Sequence, residues 1–315
     1  MKPFNVFPYD SSIHFMRARV VSLVIAALLM FAAIGAMAVN GFNFALDFTG
    51  GVGVELRFAK PVEVEAVRSR LAQAGYAHAQ VQSFGAGTDL LVRLQKKEGG
   101  ASASTSIAQE VKVAASTADN PAEVRSSAEI SAQVGKELRD KGILALVFVV
   151  VGFLIYISFR FEWKFAVAAI ITTLHDVLIV VGWFALSGHE FDLTVLAGAL
   201  SVMGYSVNDT IVVFDRVREN FRSMRADPSE VLNTSINQTL SRTVITSFVA
   251  FLTVLALYIY GGSSLRGMAE SQMIGIVIGT LSSIFVACPL LLWLGVSKQD
   301  LMPKARDEAA LARRP

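Results

Sequence analysis

The sequence predicts a membrane protein: an all-α bundle of six transmembrane helices, with an α+β domain inserted between the first two. Three observations lead to this fold class. The 315 residues are 53% hydrophobic and 17% charged, with a mean hydropathy of +0.53, whereas a soluble domain needs a more highly charged surface to stay in solution. Six apolar stretches are long enough to cross a bilayer. A long polar segment separates the first two of them.

A hydrocarbon core of ~30 Å takes roughly 20 helical residues to cross. The first apolar stretch follows Arg17 and Arg19 and ends in small residues, as a cleaved signal peptide would. Its apolar run is longer than the ~7–15 residues of a signal-peptide core, so we interpret it as an uncleaved span. The six predicted spans are residues 20–39, 143–159, 165–186, 193–214, 243–260 and 273–296.

The basic residues predict the topology, because Lys and Arg in short loops stay on the cytoplasmic side. The short connections 187–192 and 261–270 contain only one basic residue, Arg266. We therefore expect cytoplasmic termini (1–19 and 297–315), a bundle over 142–296 with a cytoplasmic loop at 215–242, and an extracytoplasmic domain over 40–141. The basic residues on the opposite side of the bundle are Lys2, Arg17, Arg19, Arg160, Lys164, Arg216, Arg218, Arg222, Arg225, Arg242, Lys298, Lys304, Arg306, Arg313 and Arg314.

The polar segment 40–141 has the pattern of a small α+β domain. Residues 52–58 alternate apolar and polar side chains, which indicates a strand. Pro61 opens a helical pattern, 79–84 and 89–94 indicate two strands, 109–115 a weaker helix, and 124–131 a last strand. This βαββαβ order predicts a ferredoxin-like fold. The low-complexity stretch 99–106 is expected to be mobile.

The cytoplasmic loop contains a helix-start signal at Asp227, Pro228 and Glu230. A carboxylate at the cap, proline at the first position and glutamate three residues after the cap are typical of a helix N-terminus. We expect a short amphipathic helix at the inner membrane surface that leads into span five. An ordinary capped connector is an equally good interpretation.

Several function classes have no support in the sequence. It contains no nucleotide-binding loop, no metal-type His/Cys cluster and no nucleophile elbow. Cys288 is the only cysteine and falls inside the last span, so no disulfide forms within the chain. We therefore expect neither an enzyme nor a metal or organic cofactor, and an ion gradient remains as the energy source.

The informative residues are polar ones at membrane depth. Span four carries Asn208 and Asp209, span three carries His175 and Asp176, and Arg242 begins span five. A carboxylate in a membrane costs ~2.5–3.5 kcal/mol on insertion scales, so such a residue suggests a function. Asp209 and Arg242 are expected at similar depth on consecutive helices. Desolvation favours the neutral acid and a guanidinium favours the charged form, so a site alternating between these environments would carry a proton. The alternatives are a static ion pair or a snorkelling arginine for Asp209 and Arg242, and hydrogen bonding between helices for His175 and Asp176.

Small residues recur every four positions in span six, at Ser271, Gly275, Gly279 and Ser283. A stripe of this kind lets another helix pack closely against the backbone. The sequence leaves open whether that helix belongs to the same chain.

Four segments carry a family resemblance: Asp47-Phe48-Thr49-Gly50-Gly51, Val134-Gly135-Lys136-Glu137-Leu138, the run from Gly204 through Asn208-Asp209 to Asn220, and Ser241-Arg242-Thr243. Together with the topology they resemble the SecD/SecF family of bacterial protein-export membrane subunits, within the resistance-nodulation-division superfamily. The motif in span four points to the SecF branch, whereas Asp47, Gly50 and Gly51 lie in a motif that SecD shares.

The resemblance implies a heterodimer with SecD, related by a pseudo-two-fold axis. It also implies the SecYEG translocon, YajC and a translocating preprotein as partners, without nucleic acid. The location would be the bacterial inner membrane, with a periplasmic domain and the proton as coupling ion. Asp209 and Arg242 match the family's proton pathway, with Asn208, His175 and Asp176 as further candidates. A small-molecule efflux half-transporter and a structural scaffold are the competing functions.

Overall fold

The computed structural model describes residues 12–76, 79–84, 87–94, 104–130 and 132–301. The helices are α1 (Arg19–Asn40), α2 (Leu46–Thr49), α3 (Val64–Gln73), α4 (Ser104–Ala115), α5 (Ala132–Arg160), α6 (Trp163–Ser187), α7 (Leu193–Ser223), α8 (Pro228–Tyr260), α9 (Ser263–Ser282) and α10 (Cys288–Trp293). The strands are β1 (Asn43–Phe44), β2 (Gly51–Phe58), β3 (Gln80–Phe84), β4 (Asp89–Leu94), β5 (Ala122–Ile130) and β6 (Glu190–Phe191).

Six helical segments of the described chain are long and apolar enough to cross a membrane, as predicted. They are α1, α5, α6, α7, α8 and a last segment made of α9 and α10. A π-helical turn, Ser283–Ala287, joins α9 to α10. Such turns widen a helix locally and are frequent at functional sites.

Several helices extend beyond the predicted spans. α7 runs on to Ser223 and α8 starts at Pro228, so only residues 224–227 of the predicted cytoplasmic loop are outside helices. The expected amphipathic helix is the first part of α8 and continues into span five without a break. Asp227 is its N-cap residue but makes no side-chain capping hydrogen bond. The stretch predicted to be mobile, 99–106, lies outside the described residues up to 103, and residues 104–106 begin α4.

The inserted domain has a four-stranded antiparallel sheet in the order β3-β4-β2-β5. Its elements follow the predicted order β2-α3-β3-β4-α4-β5. The alternating pattern of β2 places Val54 and Leu56 on the buried face, where Leu71 of α3 and Val111 of α4 complete the core. A two-residue parallel pairing of β1 with β6 joins the end of α1 to the connection between α6 and α7.

The bundle is built around α6, α7 and α9, which are at least half buried across their apolar windows. The windows of α1, α5 and α8 are mostly exposed in the single chain. A Cβ atom on Gly182 of α6 would lie 2.4 Å from the Cβ of Ala33 in α1, so this contact requires a residue without a side chain. The bundle therefore has a tightly packed centre and a broad apolar periphery.

Candidate functional site

A group of buried polar side chains lies where α6, α7, α8 and the last segment meet. Polar groups are expensive at membrane depth and are rarely left there without partners. This group contains two carboxylates and one imidazole, and the remaining members are hydroxyl residues. Its members are Thr172, Thr173, His175 and Asp176 of α6, Ser206, Asp209 and Thr210 of α7, Thr243 and Ser247 of α8, and Ser282 and Ser283. We call it the polar core.

Asp176 of the polar core has a fully buried side chain. Its Oδ1 lies 2.9 Å from Nδ1 of His175, and its Oδ2 accepts hydrogen bonds from the hydroxyls of Ser206 at 2.5 Å and Ser282 at 2.7 Å. The carboxylate therefore links α6 to α7 and to the end of α9. Nε2 of His175 is buried without a hydrogen-bond partner in the described part of the chain.

Asp209 is buried in α7, one helical turn after Ser206. The Ser283 hydroxyl donates to its Oδ2 at 3.5 Å, the long limit for a hydrogen bond, and Thr243 of α8 is buried beside it. Arg242 is near enough to act electrostatically on Asp209, but Arg242 itself is exposed. No ion pair joins the two among the described residues, so the static ion pair considered above is absent.

Asn208 is adjacent to Asp209 in sequence but lies on a different face of α7. Successive helical residues project about 100° apart, and Asn208 is exposed whereas Asp209 is buried. The structure thus assembles His175, Asp176 and Asp209 in one region and leaves Asn208 and Arg242 on the bundle surface.

A hydroxyl bridge continues the polar core between three helices. Tyr205 of α7 donates a hydrogen bond to Oγ of Ser247 in α8 at 2.8 Å. Oγ1 of Thr280 in α9 lies 2.7 Å from the same Ser247 oxygen. These contacts fix the mutual rotation of α7, α8 and α9 next to Asp209.

An aromatic cluster lies on the C-terminal side of Asp209 in α7. Phe165 and Phe214 are fully buried with their ring centroids 5.3 Å apart. Phe161 stacks on Phe165 at 6.3 Å and contacts Phe214 edge-on at 6.0 Å. Phe214 follows Asp209 by five residues, so this cluster lies between one and two helical turns beyond the carboxylate along α7.

The Asp-Phe-Thr-Gly-Gly segment lies at the other end of the bundle. Gly50 and Gly51 have φ angles of 70° and 140°, which residues with a side chain rarely adopt. A Cβ atom on Gly135 of α5 would lie 3.0 Å from the Gly50 nitrogen, so the two glycine-containing motifs are in direct contact. Asp47 Oδ2 accepts a 3.4 Å hydrogen bond from the backbone of Leu193, at the start of α7.

A polar cleft of about 450 Å³ separates the sheet of the inserted domain from this end of the bundle. Arg93 of β4 forms an ion pair with Glu190 of β6 across it. Burial lowers the pKa of Arg93, and the nearby carboxylates Asp192 and Asp47 act in the opposite direction. On the bundle side, Glu270 accepts from Nε1 of Trp183 at 2.8 Å and contacts His189 at 2.7 Å. The cleft is thus lined by charged groups of both signs.

The predicted packing stripe lies against α7 of the same chain. A Cβ atom on Gly275 would lie 2.1 Å from Cγ2 of Val202, and one on Gly279 would lie 3.1 Å from Cβ of Ser206. The Oγ of Ser271 fills the space above Gly198 of α7. Ser283, by contrast, is also a hydrogen-bond donor to Asp209.

Sequence reasoning missed Ser206, Ser247, Thr280 and Ser282 as members of the site. Isolated serine and threonine residues are common in membrane helices, where their hydroxyls bond to their own backbone. The only available signal was helical spacing, since Ser206 precedes Asp209 by one turn. The described residues contain no group of three or more His, Cys, Asp or Glu side chains that could hold a metal ion.

Comparison with known proteins gives consistent matches along the chain. Residues 110–297 match the family described as the C-terminal region of the protein export membrane proteins SecD and SecF, and residues 35–62 match the SecD/SecF GG motif. The sequence is 44% identical over 300 residues to the protein translocase subunit SecF of Pseudomonas aeruginosa, covering 94% of this chain and 96% of that protein. It is 41% identical over 298 residues to SecF of Escherichia coli O157:H7, covering 94% and 92%.

Two further matches are to longer proteins. The protein translocase subunit SecDF of Brucella abortus is 38% identical over 312 residues, covering 98% of this chain and 41% of that protein. The crystal structure of SecDF, a translocon-associated membrane protein from Thermus thermophilus, superposes with a TM-score of 0.81 at 37% identity. That match covers 92% of this chain and 40% of the SecDF chain, so this chain spans about two fifths of the fused proteins.

The relatives that match at full length are translocase subunits and not enzymes, which agrees with the functions expected from the resemblance. They also decide between protein export and the competing small-molecule efflux. The chain belongs to the SecD/SecF family of protein export membrane proteins, as a subunit of the SecF type with a role in protein export.

Proposed function

We propose that this chain uses the proton-motive force to assist preprotein translocation across the bacterial inner membrane, and that its polar core carries the protons. One observation carries the proposal: Asp176 and Asp209 are both buried between membrane-spanning helices, and neither makes an ion pair with Arg or Lys in the described chain. A buried carboxylate without such a partner is costly when ionised. Gain and loss of a proton therefore change the stability of the surrounding helix contacts.

The size of the driving force fits this role. Moving one charge through the membrane potential provides ~2.3 kcal/mol per 100 mV. Net hydrogen bonds to charged groups contribute about 1.5–3 kcal/mol. A single proton can therefore break or remake one of the contacts made by Ser206, Ser282 or Ser283, which connect the carboxylates to neighbouring helices.

SecD is the partner that we propose for the exposed side of the bundle. The Brucella and Thermus relatives are SecDF proteins, in which a region similar to this chain is about two fifths of the polypeptide. Asn208 and Arg242 are exposed at membrane depth, where lipid contact would be unfavourable. A heterodimer with SecD would cover them and place Arg242 in a protein environment. SecYEG and YajC are the further partners, with a preprotein as the moving chain.

We also propose that the inserted domain is periplasmic and ferredoxin-like. The sheet order β3-β4-β2-β5 and the βαββαβ sequence of elements support this assignment. The ion pair between Arg93 and Glu190, and the contact of Gly135 with Gly50, connect the domain to the bundle. Movement of the bundle would therefore reach the side on which the preprotein emerges.

The function can be tested in inner-membrane vesicles, with and without this chain and its SecD partner. A preprotein arrested during translocation is chased under an imposed proton gradient. We expect the gradient to accelerate completion only in vesicles that contain the pair, and an ionophore to remove the difference. Equal acceleration in both kinds of vesicle would contradict the proposal.

The topology gives a separate prediction. In a Cys288→Ser background, we expect Ser127→Cys in β5 to react with a membrane-impermeant thiol reagent from the periplasmic side. Arg225→Cys, between α7 and α8, should react only after the membrane is permeabilised. Both positions are exposed, whereas Cys288 is buried. The reverse pattern of labelling would exclude cytoplasmic termini.

A further inference from the structure

We propose that Asp176 and Asp209 form one coupled two-carboxylate site, in which Ser282 and Ser283 are positioning residues that transmit a change of protonation from one carboxyl to the other. This inference rests on the proposed function only in taking the proton as the transported ion. It starts from the fact that two consecutive serines contact carboxylates on two different helices. Ser282 donates to Asp176 of α6 at 2.7 Å, and Ser283 donates to Asp209 of α7 at 3.5 Å.

The local backbone allows this arrangement. The π-helical turn begins at Ser283, where α9 ends, so the two serines lie at the change of helical geometry. Both are buried, as are the two carboxylates. A second connection runs through α7, because Ser206 donates to Asp176 at 2.5 Å and lies one turn before Asp209.

Each serine also has an alternative acceptor on its own helix. The Ser283 hydroxyl is 2.9 Å from the carbonyl oxygen of Thr280, and the Ser282 hydroxyl is 3.1 Å from that of Gly279. A hydroxyl has a single proton to donate. Its choice between carbonyl and carboxyl therefore depends on whether the carboxyl group is charged.

The contact distances show which contact responds most easily. Ser282 is closer to its carboxylate than to its carbonyl, whereas Ser283 is closer to its carbonyl than to Asp209. Ionisation of Asp209 would draw the Ser283 hydroxyl toward it and pull on the first residue of the π-helical turn. Because Ser282 is the preceding residue, its contact with Asp176 would change as well.

Electrostatics gives the coupling a second component. Two carboxylates in one medium of low polarity disfavour simultaneous ionisation. The serine pair would add a structural dependence to this general electrostatic effect. The other titratable or charged groups that face this site are His175 of α6, Tyr205 of α7, Arg242 of α8, and Cys288 of α10, whose Sγ lies 3.7 Å from the carbonyl oxygen of Ser283.

Infrared titration of the purified complex with SecD tests the proposal without any measurement of transport. The carboxyl band lost in Asp209→Asn identifies Asp209, and its titration midpoint is then followed in other variants. We expect Asp176→Asn to move this midpoint by about half a pH unit or more, roughly a threefold change in proton affinity. When Ser282→Ala and Ser283→Ala are both present, Asp176→Asn should shift the Asp209 midpoint by less than half as much as it does in the wild-type background.

Ser271→Ala is the matched control, because Ser271 is buried on the same stripe and, in the described chain, its hydroxyl bonds only to the Met268 carbonyl of its own helix. It should leave the coupling at the wild-type value. The proposal would be overturned if Asp176→Asn left the titration midpoint of Asp209 unchanged, or if it shifted that midpoint by the full amount in the double serine variant. It would also be overturned if no Asp209 carboxyl band titrated between about pH 4 and 10. Failure of gradient-driven export would instead affect the proposed function and leave the infrared result standing.

Discussion

Asp209→Asn is expected to abolish gradient-dependent export and proton conductance, while the protein still folds and binds its partner. The substitution preserves the shape of the side chain and can still accept the hydrogen bond from Ser283. It cannot release a proton. Because Asp209 is buried and has no ion-pair partner among the residues that the structure describes, the neutral asparagine should be tolerated there at little cost in stability.

The measurement is proton flux and preprotein chase in vesicles that contain the SecD complex. Asp215→Asn is the matched control, since Asp215 is on the same helix but is only partly buried and pairs with Arg160 at 2.8 Å. We expect this control to retain at least about half of wild-type flux, because an exposed ion pair contributes little. If Asp209→Asn vesicles conduct and export at the wild-type level, Asp209 is a packing residue and the scaffold function gains support.

The architecture of the chain was largely predictable, because a membrane imposes strong rules on sequence. An apolar run of ~20 residues has few folded alternatives, and six of them gave six helices. The strands of the inserted domain were predicted as well, and for β4 the predicted and observed bounds agree at Asp89–Leu94. Helix ends were less predictable. Polarity marks where the membrane ends, whereas α7 continues to Ser223 and α8 begins at Pro228, well outside the apolar runs.

Only the charged residues of the site could be predicted from the sequence. Asp176 and Asp209 stand out inside apolar stretches, and both are buried in the polar core. Asn208 was included for its position in sequence, but a single step along a helix rotates the side chain away from the core. The serines that donate hydrogen bonds to the carboxylates were not predicted in that role. Their role depends on which helices are in contact, and sequence spacing does not give contacts between helices.

For the stripe on α9, too, sequence spacing did not identify the partner helix, and this contact gives the second prediction of a large effect. Four-residue spacing predicted a close contact without naming the partner, and the structure provides it in α7. A Cβ atom on Gly275 would lie 2.1 Å and 2.4 Å from the two methyl carbons of Val202. Real Cβ atoms do not approach carbon atoms so closely, so any side chain at this position must separate α7 from α9.

Gly275→Leu is therefore expected to lower the free energy of unfolding by about 3 kcal/mol or more, beyond the usual 1–3 kcal/mol for overpacking. Separation of α7 from α9 would also move Ser283 away from Asp209, so proton flux should be lost together with stability. Thermal unfolding of the purified chain in detergent, followed by intrinsic fluorescence, measures the first effect.

Three glycines make this prediction quantitative. With alanine at each position, the loss of stability should be largest at Gly275 and smaller at Gly279, where a Cβ atom would lie 3.1 Å from Cβ of Ser206. It should be absent at Gly152 of α5, where an added Cβ atom would have no described atom within 4 Å apart from the backbone of its own helix. At Gly152, alanine should stabilise slightly because of its higher helix propensity. Equal effects at all three positions would mean that glycine acts there through helix propensity, and that α7 and α9 do not need backbone contact to assemble.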